Sequence, residues 1–159
     1  MFTLTCQSYA REEFIPAKFA HGSVEGGRNI SPGFSWEDPP VPTKSFALTI
    51  IDPHPVANNW IHWCVIDIPF RERRLAEGSS RTKQMPPGSK ELENSYGESG
   101  YGGPAPPEGS GKHPYNAMLY ALNVATLELP QAPTPRQIER ALEGHVIAES
   151  RVTGYFERK

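Results

Sequence analysis

Asp52, His62, His113 and Tyr115 are the residues of this chain whose types and placement could do chemistry. A carboxylate, two imidazoles and a phenol can together accept hydrogen bonds from a small polar ligand and donate to it. They fall at two loop-to-strand junctions. In IDPHPVANNWIHW, from Ile51 to Trp63, a strand ends at Asp52, a proline-bearing loop follows, and a second strand opens with Trp60 and His62. In GYGGPAPPEGSGKHPY, from Gly100 to Tyr115, a stiff proline–glycine loop delivers His113 and Tyr115 onto an apolar run. Brought side by side, the two junctions build one small pocket suited to an anion.

The prolines narrow the choice of donors. Pro104, Pro106 and Pro107 carry no N–H, so this loop cannot be an amide-lined anion nest. Ala105 offers one amide between prolines, and the remaining donors are His62, His113 and the Tyr115 hydroxyl. Asp52 fits such a site by linkage. A carboxylate beside imidazole favours the imidazolium, and it can also accept the proton of a singly ionised phosphate, whose second pKa is about 6. Both effects predict tighter binding as pH falls from neutral to mildly acidic.

Each residue has a plainer reading as well. Asp52 before Pro53 is a common turn starter, His62 beside an indole could be a satisfied core histidine, and Tyr115 could be a strand aromatic. Their joint occurrence at strand ends favours the pocket. Several catalytic motifs fail outright. Gly111-Lys112 is followed by His113 rather than Ser or Thr, so there is no phosphate-binding P-loop. His62-Trp63-Cys64 and His113-Pro114-Tyr115 are not the paired H-x-[ST] of two-histidine phosphoesterases, and no GxSxG elbow occurs. His54 places a third imidazole near Asp52, but without tight H-x-H or H-x-x-x-H spacing no metal or other cofactor is expected. An enzymatic alternative would use Asp52, His62 and His113 as orienter, base and acid for hydrolysis or isomerisation of a small molecule, with no obvious nucleophile.

The elements that must position these groups are mostly strands. Ser45 to Asp52 is apolar on both faces, which predicts a strand buried on both sides. Trp60 to Ile68 follows, with a period of two that places Trp60, His62, Cys64 and Ile66 on one face. A third strand runs from Tyr115 to Val124 and a last from Val146 to Phe156. One helix is well signalled: Thr134 and Gln137 form a capping box, Pro135 takes the first helical position, Ile138, Ala141 and Leu142 make the apolar stripe, and Gly144 stops it. Arg71 to Glu77 reads as a solvated loop, and Gly78 to Gly100 as a long surface excursion.

The bulk figures agree with a single mainly β domain over residues 1–159. The chain is long enough to bury a substantial core, and its 17 prolines and 14 glycines punctuate a loop-rich fold of packed sheets. A net charge of −2 gives no basic face for nucleic acid or an anionic membrane. No apolar run approaches the roughly 18 residues of a membrane span, and MFTLTCQSYAREEF lacks the features of a signal peptide. Cys6 and Cys64 have no CxxC spacing, and the expected setting is the cytoplasm.

These residues resemble the phosphatidylethanolamine-binding protein family, also called Raf kinase inhibitor-like proteins, and most closely its bacterial and archaeal branch. The resemblance lies in NISPGFSW (Asn29 to Trp36), DPHP (Asp52 to Pro55) with WIHW, GYGGPAPP, HPY with LYAL, and GHVIAESRVTGYFER. It implies a β-sandwich in which a large antiparallel central sheet packs on a smaller one with peripheral helices. It also implies a pocket for phosphate-like anions or phosphorylated ligands, made by Asp52, Trp60, His62, Ala105, Pro106, His113 and Tyr115. A non-catalytic binding protein follows, acting as a regulator of phosphorylated partners or in the manner of a kinase or protease inhibitor, and a homodimer is compatible with that branch. A cis peptide beside the pocket is typical of the family, with His54–Pro55 and Asn58–Asn59 as the matching bonds. Three positions depart from the family pattern: His54 stands for a second aspartate in a loop one residue shorter, Ala105 for a cysteine, and Pro114 for an arginine.

Overall fold

The computed structural model describes residues 1–159. Three strands supply the centre of the molecule: β3 (Ser45–Asp52), β4 (Trp60–Pro69) and β7 (His113–Leu122). With β6 (Lys90–Glu91) and β8 (Val146–Phe156) they form a five-stranded antiparallel sheet in the order β6-β4-β3-β7-β8. The smaller sheet, in the order β1-β2-β5, is built from β1 (Thr3–Cys6), β2 (Phe34–Glu37) and β5 (Arg74–Leu75).

The alternation of side chains decides what each face of the large sheet meets. Phe46, Leu48 and Ile50 of β3 and Tyr115, Ala117 and Leu119 of β7 pack with Leu4, Phe34 and Trp36 from the small sheet. Full burial of one such side chain contributes roughly 1.5–3 kcal/mol, so this interlayer face is the main source of stability. The opposite face carries Ala47, Ile61, Cys64 and Ile66, and is covered by Leu127 and by Ile138 and Leu142 of the helix α1 (Pro135–Leu142). The capping box forms as the sequence predicts: Gln137 N–H donates to Thr134 Oγ1 at 3.1 Å, and Thr134 N–H to Gln137 Oε1 at 2.9 Å. Gly144, at φ 77°, ends the helix in the left-handed region that glycine enters without a Cβ penalty.

Three differences from the sequence reading have physical causes. First, strict alternation fails in β4. Asp52 pairs with Trp60 and Ile51 with Ile61, but Ile50 pairs with Trp63, so His62 is the extra residue of a β-bulge. The bulge reverses the parity of the strand, and Cys64 and Ile66 therefore lie under α1 rather than on the side of His62. Second, no peptide bond is cis. The loop after β3 turns instead through Asn58 and Asn59 at φ 51° and 61°, a region asparagine tolerates, with Ala57 and Asn58 N–H groups both donating to His54 O at 2.9 Å. Third, the segment from Gly78 to Gly100 is no simple excursion: it buries Ser79, Leu92 and Asn94 and adds β6 to the edge of the large sheet.

Candidate functional site

At one end of β3, β4 and β7 the interlayer core stops short and leaves a cavity of about 260 Å³. Asp52 is the last residue of β3, His62 sits in the bulge of β4, and His113 opens β7. All seven residues singled out from the sequence line this cavity: Asp52, Trp60, His62, Ala105, Pro106, His113 and Tyr115. Tyr96, Val56, Ala57 and Pro107 complete the wall. Sequence reasoning missed Tyr96, the only aromatic side chain of the polar segment Glu91 to Ser99, which is held inward by its own contacts. Its N–H donates to Asn94 Oδ1 at 2.9 Å, its hydroxyl donates to Gly103 O at 2.7 Å, and His21 stacks on its ring at 4.3 Å.

The proline–glycine loop is pinned rather than merely stiff. Asn29 reaches across to accept from Gly103 N–H at 2.7 Å, and Pro104 O accepts from His21 N–H at 3.0 Å. Only glycine fits at 103, because a Cβ there would lie 2.1 Å from Phe19 O. This ties NISPGFSW to the site: Asn29 sets the loop that carries Ala105 and Pro106. The Ala105 N–H makes no hydrogen bond to any other backbone group.

Asp52 and His113 form the electrostatic centre. Both are buried, and His113 Nδ1 donates to Asp52 Oδ2 at 2.6 Å. The other carboxylate oxygen, Oδ1, accepts from His54 N–H at 2.9 Å, so the carboxylate is held at both ends. The His54 ring lies flat on His113, with centroids 3.8 Å apart and planes 4° from parallel. Its Nδ1 accepts from Val56 N–H at 3.1 Å, which leaves that nitrogen without a proton. His54, one of the three residues that depart from the family pattern, therefore covers the Asp52–His113 pair.

His62 does not become the cation that proximity to a carboxylate would suggest. Burial pushes its pKa down to about 4, and this outweighs the raising effects of the Gly102 carbonyl and of Asp52. Its Nδ1 donates to Gly102 O at 2.7 Å, so the neutral ring holds its proton there and Nε2 is an acceptor. The expectation that a carboxylate beside imidazole favours the imidazolium therefore does not hold for His62. Tyr115, edge-on to His62 at 5.0 Å, has its pKa pushed well above the usual phenol value, first by burial and then by Asp52. Tyr96 is raised to about 12 for the same reasons. Both phenols keep their protons, and Tyr115 remains a donor. No lysine or arginine lines the cavity.

The family model described as phosphatidylethanolamine-binding protein matches residues 5–157. A UPF0098 protein of Aquifex aeolicus is 38% identical over 132 residues, covering 83% of this chain and 77% of the relative. A Mycobacterium tuberculosis protein named as a lipoprotein, LppC, is 34% identical over 155 residues, covering 98% of this chain and 72% of that one. The crystal structure of Escherichia coli YbcL, described as a new member of the mammalian PEBP family, superposes with a TM-score of 0.92 at 28% identity, covering 99% of both chains. In the present chain no helix is long and apolar enough to cross a membrane.

Proposed function

The chain belongs to the phosphatidylethanolamine-binding protein family, and from that premise we propose that its cavity binds a small phosphate-like anion, free or carried on a phosphorylated molecule or protein, in its singly charged, protonated form. The observation that carries this reading is the balance of groups on the wall. Tyr115 and the Ala105 amide can donate, whereas neutral His62 Nε2 accepts and Asp52 is already paired with His113. With no lysine or arginine in the lining, a doubly charged phosphate would leave both its charges uncompensated in a partly desolvated site, and a monoanion only one. A monoanion brings its own proton and satisfies the acceptor. The cavity is of a size for a headgroup or a free anion, not for a lipid with its tails.

The test is calorimetric titration of inorganic phosphate and O-phosphorylethanolamine at pH 6 and pH 8. For a ligand whose second pKa is about 6, the monoanion falls about fiftyfold in fraction between these values, and affinity should fall with it. His113→Ala should abolish binding at both. Equal affinity at the two pH values would refute the protonated-ligand reading, and binding of both ligands to His113→Ala with wild-type affinity would place the site elsewhere.

A further inference from the structure

We propose that Ser110, with His113 and Asp52, forms a nucleophilic triad that transfers small acyl groups from carboxylic esters. Ser110 Oγ lies 2.8 Å from His113 Nε2, on the side of the ring opposite to Asp52. His113 Nδ1–H donates to Asp52 Oδ2 at 2.6 Å, which fixes the ring with Nε2 facing the serine. Asp52 is itself held by His54 N–H at 2.9 Å. Nucleophile, base and orienting carboxylate thus stand within hydrogen-bond reach in sequence, the arrangement by which a serine hydroxyl is activated on unrelated folds.

The surroundings of Ser110 allow attack. Its hydroxyl has a second acceptor, Pro107 O at 2.7 Å, and rotation of the O–H alone moves the proton from that carbonyl to Nε2. Ser110 is half-buried, and its neighbours Gly109 and Gly111 have no heavy atom within 4 Å of where a Cβ would stand, so the loop is open to solvent on that side. The Gly111 N–H, directly after the serine, makes no hydrogen bond to any other backbone group. It is the available donor for an oxyanion formed at Ser110. Ser110 lies outside the cavity lining, whereas His113 and Pro107 belong to it, so the ester would sit at the cavity mouth with its smaller group inward.

In the first step the Oγ–acyl carbon bond forms while the serine proton passes to His113 Nε2. The ester C–O bond then breaks, and the alcohol leaves with that proton. Water next adds to the acyl carbon and gives a proton to Nε2. Ser110 recovers its proton as the carboxylic acid departs. No co-reactant beyond ester and water is required.

The full chain is treated with a fluorophosphonate probe and the modified residue located by mass spectrometry; p-nitrophenyl acetate turnover is followed in parallel. Modification should map to Ser110, and turnover should fall on the order of a hundredfold in Ser110→Ala, whose folding is checked by thermal unfolding. No modification of the wild-type chain, or modification at another residue, overturns the proposal. So does turnover that persists in folded Ser110→Ala, which would mean hydrolysis by imidazole alone. The site mapping on wild type decides the matter even if the variant misfolds. Neither failure touches the anion-binding reading, which is tested by phosphate titration.

Discussion

Strand β4 is bulged twice, once at His62 and once at Asp67, and the two polar residues meet opposite fates. Asp67, at φ 57°, lies where Ile66 and Asp67 together face one residue of β3. Its carboxylate accepts from Leu127 N–H at 2.9 Å and has Lys90 Nζ at 3.8 Å. That bulge secures the chain leading toward α1 and leaves nothing over. The bulge at His62 uses one ring nitrogen on Gly102 O and leaves the other unprotonated beside a cavity. The same backbone device thus closes one end of the strand and opens the other. The difference lies in what surrounds the side chain: at Asp67 a backbone donor completes it, while at His62 the interlayer core has ended.

The sharpest way to break this contrast is Asp52→Ala. It leaves the buried His113 Nδ1–H without its acceptor, and should cost roughly 1–3 kcal/mol in urea unfolding as well as abolish phosphate binding. Loss below 1 kcal/mol would show that the pair is not a buried electrostatic unit.

Next comes the pH dependence of stability. His62 has its folded pKa lowered to about 4 from 6.5. The unfolded chain therefore binds the extra proton first as pH falls. The stability due to neutral His62 is complete above about pH 6.5 and lost progressively between there and pH 4, roughly 3 kcal/mol across the window. His62→Gln should flatten the wild-type stability curve over that range. Curves of identical slope would contradict the neutral assignment.

Asp67→Asn keeps an acceptor for Leu127 N–H and loses only attraction to an exposed lysine, so urea unfolding should shift by less than about 1 kcal/mol with phosphate affinity unchanged. Thr134→Ala, which removes the cap of α1 on the far face of the sheet, should cost about 1 kcal/mol and likewise spare the cavity. Reduced phosphate binding in either variant would mean that the closed and open ends are coupled.

The legibility of the molecule follows the same division. β3 and β8 run over the residues expected, and β4 and β7 within two residues at each end. These strands are long, apolar or alternating, and bounded by proline, glycine or asparagine. The helix was legible because its cap is purely local. The strands of the small sheet, two to four residues each, carry too little pattern to be read singly. Five of the seven site residues, Asp52, Trp60, His62, His113 and Tyr115, come together because the pairing of strand ends is dictated by registers the long strands already impose, while Ala105 and Pro106 are placed by the contacts of their loop with Asn29 and His21. What escaped was non-local. The bulge at His62 has no glycine to mark it, Tyr96 is turned inward by Asn94 and Gly103, and the neutrality of His62 depends on burial that no spacing encodes. Ser110 finds His113 only through the turn at Pro107.

The central claim is that the cavity takes its anion with a proton attached. Phosphorus NMR of O-phosphorylethanolamine, titrated free and bound to the protein, measures this directly. The account predicts that the bound phosphate titrates at higher pH than the free ligand, because neutral His62 and the Asp52–His113 pair favour the monoanion. A bound phosphate that titrates at lower pH than the free one would show a cavity that prefers the dianion, and would contradict the account.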